Sequence, residues 1–451
     1  MATKNLPRRI AWEVLLDVAT KDSYANLLLP AKLARTHLGV QDAALATELT
    51  YGALRQQELY DAVIARAARR EVSTIDPEPL AALRLGAHQL LSMRIPDHAA
   101  VSETVAVVKA NAPKAAGFTN AVLRRISETD RDDWLDRVTA GTSEVARQAL
   151  EHSHPEWIIR AMTQALKGHG RSAGELVDLL EADNAAAKVT LTALPGLCER
   201  GELPGTPTRL SPVSVTLDTG VPGHIPAVAE GRARVQDEGS ALVALALAHA
   251  SAPEGTWADL CAGPGGKAAL LGAVAGGEGT RLEAFDSSRH RAKLVRTSTQ
   301  ALPAVTTAVR DARDATGPYA KVLVDVPCSG LGALRRRPEA RYRRTPADIN
   351  ALAAPQREIL TAALDACAPG GIVAYSTCSP HYAETVLVVD DVLRRTPAEV
   401  LDAPDVLARI TGADAAGFAS VSRGDGRFAQ LWPHVHGTDG MFLALLRKAH
   451  R

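Results

Sequence analysis

The sequence predicts a multidomain chain: an all-α bundle at the N-terminus, a small α/β connecting module, and a C-terminal α/β domain whose parallel sheet carries helices on its faces. Three observations support this. At 451 residues the chain far exceeds the common domain size of about 100–150 residues, which leaves room for roughly two to four domains. Residues 7 to 127 repeat apolar side chains at helical spacing without period-two alternation. After Gln236, helical and strand-like runs alternate, as βα units do.

In the N-terminal part, Ala11, Val14, Leu15 and Val18 follow the i, i+3, i+4, i+7 spacing of an amphipathic helix. Pro77 and Pro79 open a run, Leu80 to Arg94, that carries Leu83, Leu85, Leu90 and Leu91. Runs from Asp97 to Lys109 and from Pro113 to Ile126 complete the bundle. The charge-dense stretch Ser127 to Arg137 reads as its end or as a solvated helix face. This domain is expected over residues 1–140. From about His154 to Arg234, strand-like runs (Val189 to Thr192, Val213 to Leu217) are separated by turns at Pro195-Gly196, Pro204-Gly205 and Pro222-Gly223. The connecting module is therefore expected over 141–235, and the third domain over 236–451.

Lys and Arg number 51 and Asp and Glu 51, so the formal net charge is zero. With 46% hydrophobic and 23% charged residues, the composition is that of a globular protein and excludes a disordered tail or a histone-like polycation. Aromatic residues make up only 4%, so the cores must be built from Ala, Val, Leu and Ile. The first ten residues lack the apolar core of a secretory signal. The longest apolar stretch, Ala241 to Ala248, is far short of the roughly 18 residues that cross a bilayer. A cytoplasmic protein without membrane association is expected. Cys198, Cys261, Cys328, Cys367 and Cys378 are odd in number, widely spaced and free of any C-x-x-C pair, so free thiols and no metal site are expected.

The chemistry-bearing residues gather in the third domain. Thr256 to Leu260 reads as a strand, Cys261-Ala262-Gly263-Pro264-Gly265-Gly266-Lys267 as a glycine-rich turn, and Ala268 to Val274 as a helix. Such a turn lets backbone approach a ligand and aims helix N–H groups at it. It is not a Walker phosphate loop, because Cys261 stands where the first Gly is required and Ala268 where Ser or Thr is required. The next strand, Arg281 to Phe285, ends in Asp286, 20 residues after Gly266. In a Rossmann-like sheet an acid at that offset accepts hydrogen bonds from ribose hydroxyls. A third strand, Ala304 to Arg310, ends at Asp311; a fourth, Lys321 to Val324, at Asp325, just before Val326-Pro327-Cys328; a fifth, Gly371 to Thr377, at Cys378. Between the last two, Thr345 caps a helix, Pro346 sits in its first turn, and Pro369-Gly370-Gly371 closes it. Open α/β sheets bind ligands beyond the carboxyl ends of their strands, so three carboxylates and two thiols are expected around one crevice.

Each residue also has a plainer role. A lone Cys after a strand is commonly an inert buried hydrophobe, the reading given to Cys198 and Cys367. A lone Asp there is commonly a cap or turn former, and Lys267 alone would be a solvated first-turn residue. What favours a site is the joint placement at one end of one sheet. A second cluster, Arg335 to Arg344, sets six Arg against one Glu. It reads as a solvated face or, with Tyr342 inside it, as a patch at the crevice rim for phosphates and stacked bases. A neutral chain therefore does not exclude RNA.

Asp259 to Lys267, Asp325-Val-Pro-Cys328-Ser-Gly and Ser376-Thr-Cys378-Ser379 resemble motifs of the RNA cytosine-5 methyltransferases that use S-adenosylmethionine, and the cysteine doublet is specific to that family. Thr50 to Arg55, Leu83 to Leu90 and Phe118 to Arg124 resemble the helical domain of the antitermination factor NusB. Fused, the two resemble bacterial 16S rRNA enzymes of the RsmB, Sun or Fmu type over essentially the whole chain. Departures are small: Val326 where the family often has Ala, and Gly263 where Ala is common.

The resemblance implies a NusB-like RNA-binding bundle joined to a Rossmann-like catalytic domain. It implies that Cys378 adds to carbon 6 of cytosine, that Asp325 hydrogen-bonds the ring, and that Cys328 assists proton elimination and product release. S-adenosylmethionine would be the cofactor, with Cys261 to Lys267 at its methionine end, Asp286 at the ribose, Asp311 beside the adenine, and Asp325 completing the set. The partner would be rRNA, and the chain is expected to act as a monomer. A tRNA cytosine-5 methyltransferase would share every catalytic residue. A non-catalytic RNA-binding assembly factor would have no need of both cysteines, and neither would a small-molecule methyltransferase.

Overall fold

The computed structural model describes residues 5–21, 23–36, 38–421 and 424–450. Two compact units are present, Met1–Arg160 with Leu334–Arg343, and Ala161–Ala333 with Arg344–Arg451.

The first unit is all-helical. Its helices include Leu6–Thr20, Ala25–Ala34, Val40–Arg55, Gln57–Ala68, Pro77–Ser92, Asp97–Asn111 and Ala116–Ser127. The face anticipated for the first helix is the buried one, with Ala11, Val14, Leu15 and Val18 in the core. Pro77 and Pro79 stand in the first turn of Pro77–Ser92, where a missing N–H costs nothing. The charge-dense stretch adds a further helix, Arg131–Thr139, capped by Asp130. It is more than a solvated face: Trp134 is buried and its Nε1 donates to the Ile126 carbonyl at 3.0 Å.

The Arg335 to Arg344 run departs most from expectation. Its residues up to Arg343 belong to the helical unit, where Ala340–Arg343 forms a short helix. Arg341 is fully buried, and its Nη1 donates to the carbonyls of Arg55 and Ser153, both at 2.9 Å. Arg55 ends the helix Val40–Arg55, so the guanidinium meets a carbonyl that has no intrahelical partner, at the negative end of the helix dipole. Arg343 donates to the Val18 and Ser23 carbonyls and lies 4.6 Å from the Tyr24 ring centroid. The Tyr342 hydroxyl accepts from Glu58 N–H at 3.0 Å, and Glu339 accepts from Ala25 N–H at 3.0 Å. Arg341, Tyr342 and Arg343 are thus internal fastenings of the bundle rather than a phosphate and stacking patch.

The second unit begins with the end of helix Glu156–Gly168, then Leu176–Asn184, and an antiparallel sheet of β1 (Thr190–Ala193), β2 (Thr206–Pro207), β3 (Ser214–Thr216) and β4 (Ala233–Val235), ordered β2-β3-β1-β4. Leu191, Val215 and Ala233 fill its core with Cys198.

The large sheet holds β5 (Trp257–Asp259), β6 (Leu282–Asp286), β7 (Val305–Val309), β8 (Tyr319–Asp325), β9 (Cys367–Thr377), β10 (Ala398–Leu401), β11 (Ala419–Ser420), β12 (Phe428–Gln430) and β13 (Phe442–Lys448). Its order is β11-β12-β13-β9-β8-β5-β6-β7, with β10 also beside β13. Strands β5 to β9 pair in parallel, as the alternating pattern implies. The parallel expectation stops at β9, because β13 runs antiparallel to it and β10, β11 and β12 are antiparallel as well. Central β5 pairs with β6 on one side and β8 on the other, so the strand order reverses between β5 and β8 and a crevice opens at their carboxyl ends.

The helix between β8 and β9 is Pro346–Ala366, with a capping box between Thr345 and Asp348. It ends before the anticipated Pro-Gly-Gly closure. Pro369, Gly370 and Gly371 instead lie in the first half of β9, where pairing with β8 shifts register beside Tyr319 and Lys321. Among the described residues no helix is long and apolar enough to cross a membrane.

Candidate active site

The glycine-rich turn joins β5 to the helix Gly266–Gly277. Its glycines are required by close approach. Gly265 has φ +110°, and a Cβ there would stand 2.5 Å from Ser298 Cβ, whose hydroxyl already donates to the Pro264 carbonyl at 2.9 Å. A Cβ on Gly263 would stand 2.4 Å from Asp286 Oδ2 and 2.8 Å from Arg291 Cβ. In this chain, then, Gly263 is not interchangeable with Ala unless Asp286 and Arg291 move.

Asp286 closes β6 and is buried. Its Oδ2 accepts from Gly263 N–H at 3.2 Å and its Oδ1 from Ser288 N–H at 2.8 Å, with Arg291 Nε 3.2 Å away. The acid at the second strand end therefore touches the turn directly. Asp311 follows β7 and is engaged differently: its carboxylate takes the backbone N–H, Nε and Nη2 of Arg313 at 2.8–2.9 Å. Those hydrogen bonds hold its pKa down to about 2.

At the switch point, Lys267 Nζ donates to Asp325 Oδ2 at 2.7 Å, and Ser376 Oγ of β9 donates to Asp325 Oδ1 at 3.0 Å. Lys267 is thus not a solvated first-turn residue. Burial works to lower its pKa, yet the charge and hydrogen bond of Asp325, with Cys378 and Asp259, keep it above the usual lysine value. Asp259, at the end of β5, is buried with Oδ1 accepting from Cys261 N–H at 3.3 Å and Oδ2 without a partner. Burial and then the charge of Asp325 push it up to about 7 against the pull of Lys267. Burial first, then the carboxylates of Asp259, Asp325 and Asp286, push the Cys261 thiol well above its ordinary value.

Cys328 follows β8 by three residues and Cys378 follows β9 directly, and their Sγ atoms are 3.4 Å apart. Sulfurs fifty residues apart in sequence thus share one spot beside Asp325. Cys198 and Cys367 are buried elsewhere: Cys198 in the small sheet's core, Cys367 at the opposite end of β9, where burial lifts its thiol to about 11.

The sequence patterns include Asp259 and Ser376 only as members of motifs, with no role of their own, and leave out Glu384, which lies in the short turn Tyr382–Glu384. Asp259 carried a legible signal, since it is the last residue of the strand feeding the turn. Among the described residues no group of three or more His, Cys, Asp or Glu is arranged to hold a metal ion.

Residues 245–447 match the family described as 16S rRNA methyltransferase RsmB/F, and residues 5–128 match the NusB family. A putative methyltransferase of Mycobacterium tuberculosis, Rv1407, is 48% identical over 98% of this chain and 96% of its own length. The probable ribosomal RNA small subunit methyltransferase B of Bacillus subtilis is 30% identical over 99% of both. This chain belongs to the RsmB/F family of 16S rRNA methyltransferases. Within that family the Vibrio cholerae ribosomal RNA small subunit methyltransferase B is 30% identical over 98% of both chains. The crystal structure of PH0851 shares the fold, with a TM-score of 0.82 at 22% identity over 99% of this chain and all of that one.

As an RsmB/F-family RNA methyltransferase, the chain uses S-adenosylmethionine. The crevice suits that cofactor: a turn stripped of side chains at a helix N-terminus, a carboxylate touching the turn, and a second carboxylate, Asp259, with one buried oxygen still unpartnered.

Proposed function

We propose that the chain methylates carbon 5 of a cytosine in 16S rRNA through a covalent adduct on Cys378. The observation that carries this is the 3.4 Å separation of the Cys328 and Cys378 sulfurs beside the Lys267–Asp325 pair. Methyl transfer to oxygen or nitrogen has no use for two adjacent thiols, whereas carbon 5 of cytosine is a poor nucleophile until a thiolate has added to carbon 6. In this reading residues 1–140 bind RNA, 141–235 connect, and 236–451 form the catalytic part, which lends residues 334–343 to the helical unit.

The target base leaves its stack to enter the crevice. Cys378 adds to carbon 6, Asp325 hydrogen-bonds the ring and stabilises the adduct, and Cys328 assists removal of the carbon 5 proton and release of product. Bound S-adenosylmethionine supplies the electrophilic methyl group on its sulfonium. Cys261, Ala262, Gly263, Pro264, Gly265, Gly266 and Lys267 would hold its methionine end and Asp286 its ribose, with Asp311 beside the adenine and Asp325 completing the set.

Two substitutions test the roles. Cys378→Ala should abolish both methyl transfer to 16S rRNA and any denaturant-resistant protein–RNA complex; a surviving adduct would move the nucleophile to Cys328. Cys328→Ala should accumulate that complex on gels, and its absence would remove the release role. Bisulfite sequencing of 16S rRNA from a deletion strain reads the modified base, and an unchanged pattern would overturn the assignment.

A further inference from the structure

Glu384 is fully buried six residues after Cys378, in the short turn Tyr382–Glu384. A buried carboxylate is tolerated only when its oxygens are hydrogen-bonded, and here each oxygen takes two donors. Oε1 accepts from Ser329 N–H at 2.7 Å and from Gln356 Nε2 at 3.3 Å. Oε2 accepts from Ser379 Oγ at 2.7 Å and from Ser329 Oγ.

The identity of the donors is informative. Ser329 follows Cys328 and Ser379 follows Cys378, and their hydroxyls are 3.1 Å apart. Gln356 also donates to the carbonyl of Pro327, the residue before Cys328, at 2.9 Å. The Tyr375 hydroxyl, from β9, fixes the Glu384 backbone by donating to its carbonyl at 2.7 Å. Glu384 therefore joins the loop after β8 to the loop after β9 at the residues next to the two sulfurs. All four donors are neutral groups.

We propose that Glu384 is a positioning residue of this enzyme: its carboxylate clamps the Cys328 loop to the Cys378 loop, fixes the sulfur separation, and sets a negative charge on the Cys328 side of the pair. This deepens the function proposed above and rests on it for the roles of the sulfurs. Two of the four bonds come from Ser329, one through its backbone N–H, so the charge is tied more closely to Cys328. The ionisable groups acting on that thiol are Cys378 just after β9, Tyr375 within β9, Asp325 from β8 and Glu384, with Lys267 engaged by Asp325. The hydrogen bond with Cys378, then burial, then the charges of Cys378, Glu384 and Asp325 push Cys328 well above its ordinary thiol value. In the free protein a Cys328 that keeps its proton does not compete with Cys378 as nucleophile; once Cys378 is bonded to carbon 6, its hydrogen bond and charge no longer hold Cys328 up, and Cys328 can take the carbon 5 proton.

The thiol readouts use the full chain without RNA, and the kinetic readout uses the full chain with 16S rRNA. Iodoacetamide alkylation of Cys328 and Cys378 is followed by peptide mass spectrometry across about pH 6–10, and S-adenosylmethionine binding by calorimetry serves as the folding check. In Glu384→Gln the Cys328 midpoint should fall by about one pH unit or more while that of Cys378 moves less, and kcat should fall at least about tenfold with KM for RNA nearly unchanged. An unchanged Cys328 midpoint in a variant that binds the cofactor normally would overturn the proposal. Should Glu384→Gln not fold, Ser379→Ala removes the hydroxyl that ties the Cys378 loop to Glu384 and Ser329 and that also accepts from His381 N–H. It should slow diamide-driven disulfide formation between the two cysteines, in which two thiols are oxidised and one diazene reduced, by several-fold; an unchanged rate rejects the clamp. Neither thiol readout needs methyl transfer, so a failed cytosine-5 assignment and a failed clamp give different results.

Discussion

The arginines Arg341 and Arg343 and the crevice at the ends of β5, β8 and β9 both hold charge away from solvent, and they use it in opposite ways; Glu339 beside those arginines, buried with Oε2 unpartnered and its pKa raised by burial, stands outside that contrast. Arg341 and Arg343 direct donors at backbone carbonyls of helix ends and turns. In the crevice, Lys267 is shared with Asp325, Asp259 keeps an unpartnered oxygen, and the carboxyl of Asp259 is displaced to about 7. Charge matched to backbone fastens a fold. Charge left partly unmatched, with its protonation displaced, is available to a ligand.

Lys267→Met breaks this contrast with the largest effect. It removes the cation that offsets Asp325, Asp259 and the ionised nucleophile, so methyl transfer should fall about 100-fold or more. Melting temperature should shift far less than activity does, and comparable losses in both would place Lys267 with the structural arginines. Arg341→Met should do the reverse. It strands two buried carbonyls, and losing a buried, hydrogen-bonded charge costs about 3 kcal/mol or more. Urea unfolding should show that loss in the helical unit, with kcat per folded molecule preserved. The slope of RNA affinity against salt should not change, whereas loss of a phosphate contact would flatten it by about 0.7–0.9.

How much was legible follows from the same physics. Glycine turns and strand-end acids are local patterns, so the turn at 261–267 and the positions of Asp286, Asp325 and Cys378 could be read directly. The convergence of Cys328 and Cys378 was readable because parallel β strands put every carboxyl end on one side. Arg335 to Arg344 misled because a charge run reports composition, while its destination depends on which helix ends lie nearby. The antiparallel half of the sheet escaped because β10, β11 and β12 have two to four residues each and show no alternation. Glu384 had no signal of its own: a single acid in a short mixed segment becomes a hub only after two distant loops meet.

The finest test of the contrast is Asp259→Asn. An aspartate whose folded pKa is raised binds a proton more tightly folded than unfolded. Its favourable contribution is therefore complete below the unfolded value near 3.8 and is lost as pH rises toward the folded value of about 7. Above that range the folded chain carries the cost of an ionised, buried carboxylate beside Asp325. The amide carries no charge, so the variant should match or exceed the parent in stability at pH 8 and lose that advantage progressively toward pH 5. The gain should be no more than a few kcal/mol, since each pKa unit is worth about 1.4 kcal/mol and Lys267 offsets part of it. Thermal melts of both proteins across that range give the comparison. If the variant were less stable at pH 8 and equally so at pH 5, Asp259 would be as well matched as Arg341, and the distinction between the two regions would fail at its most sensitive point.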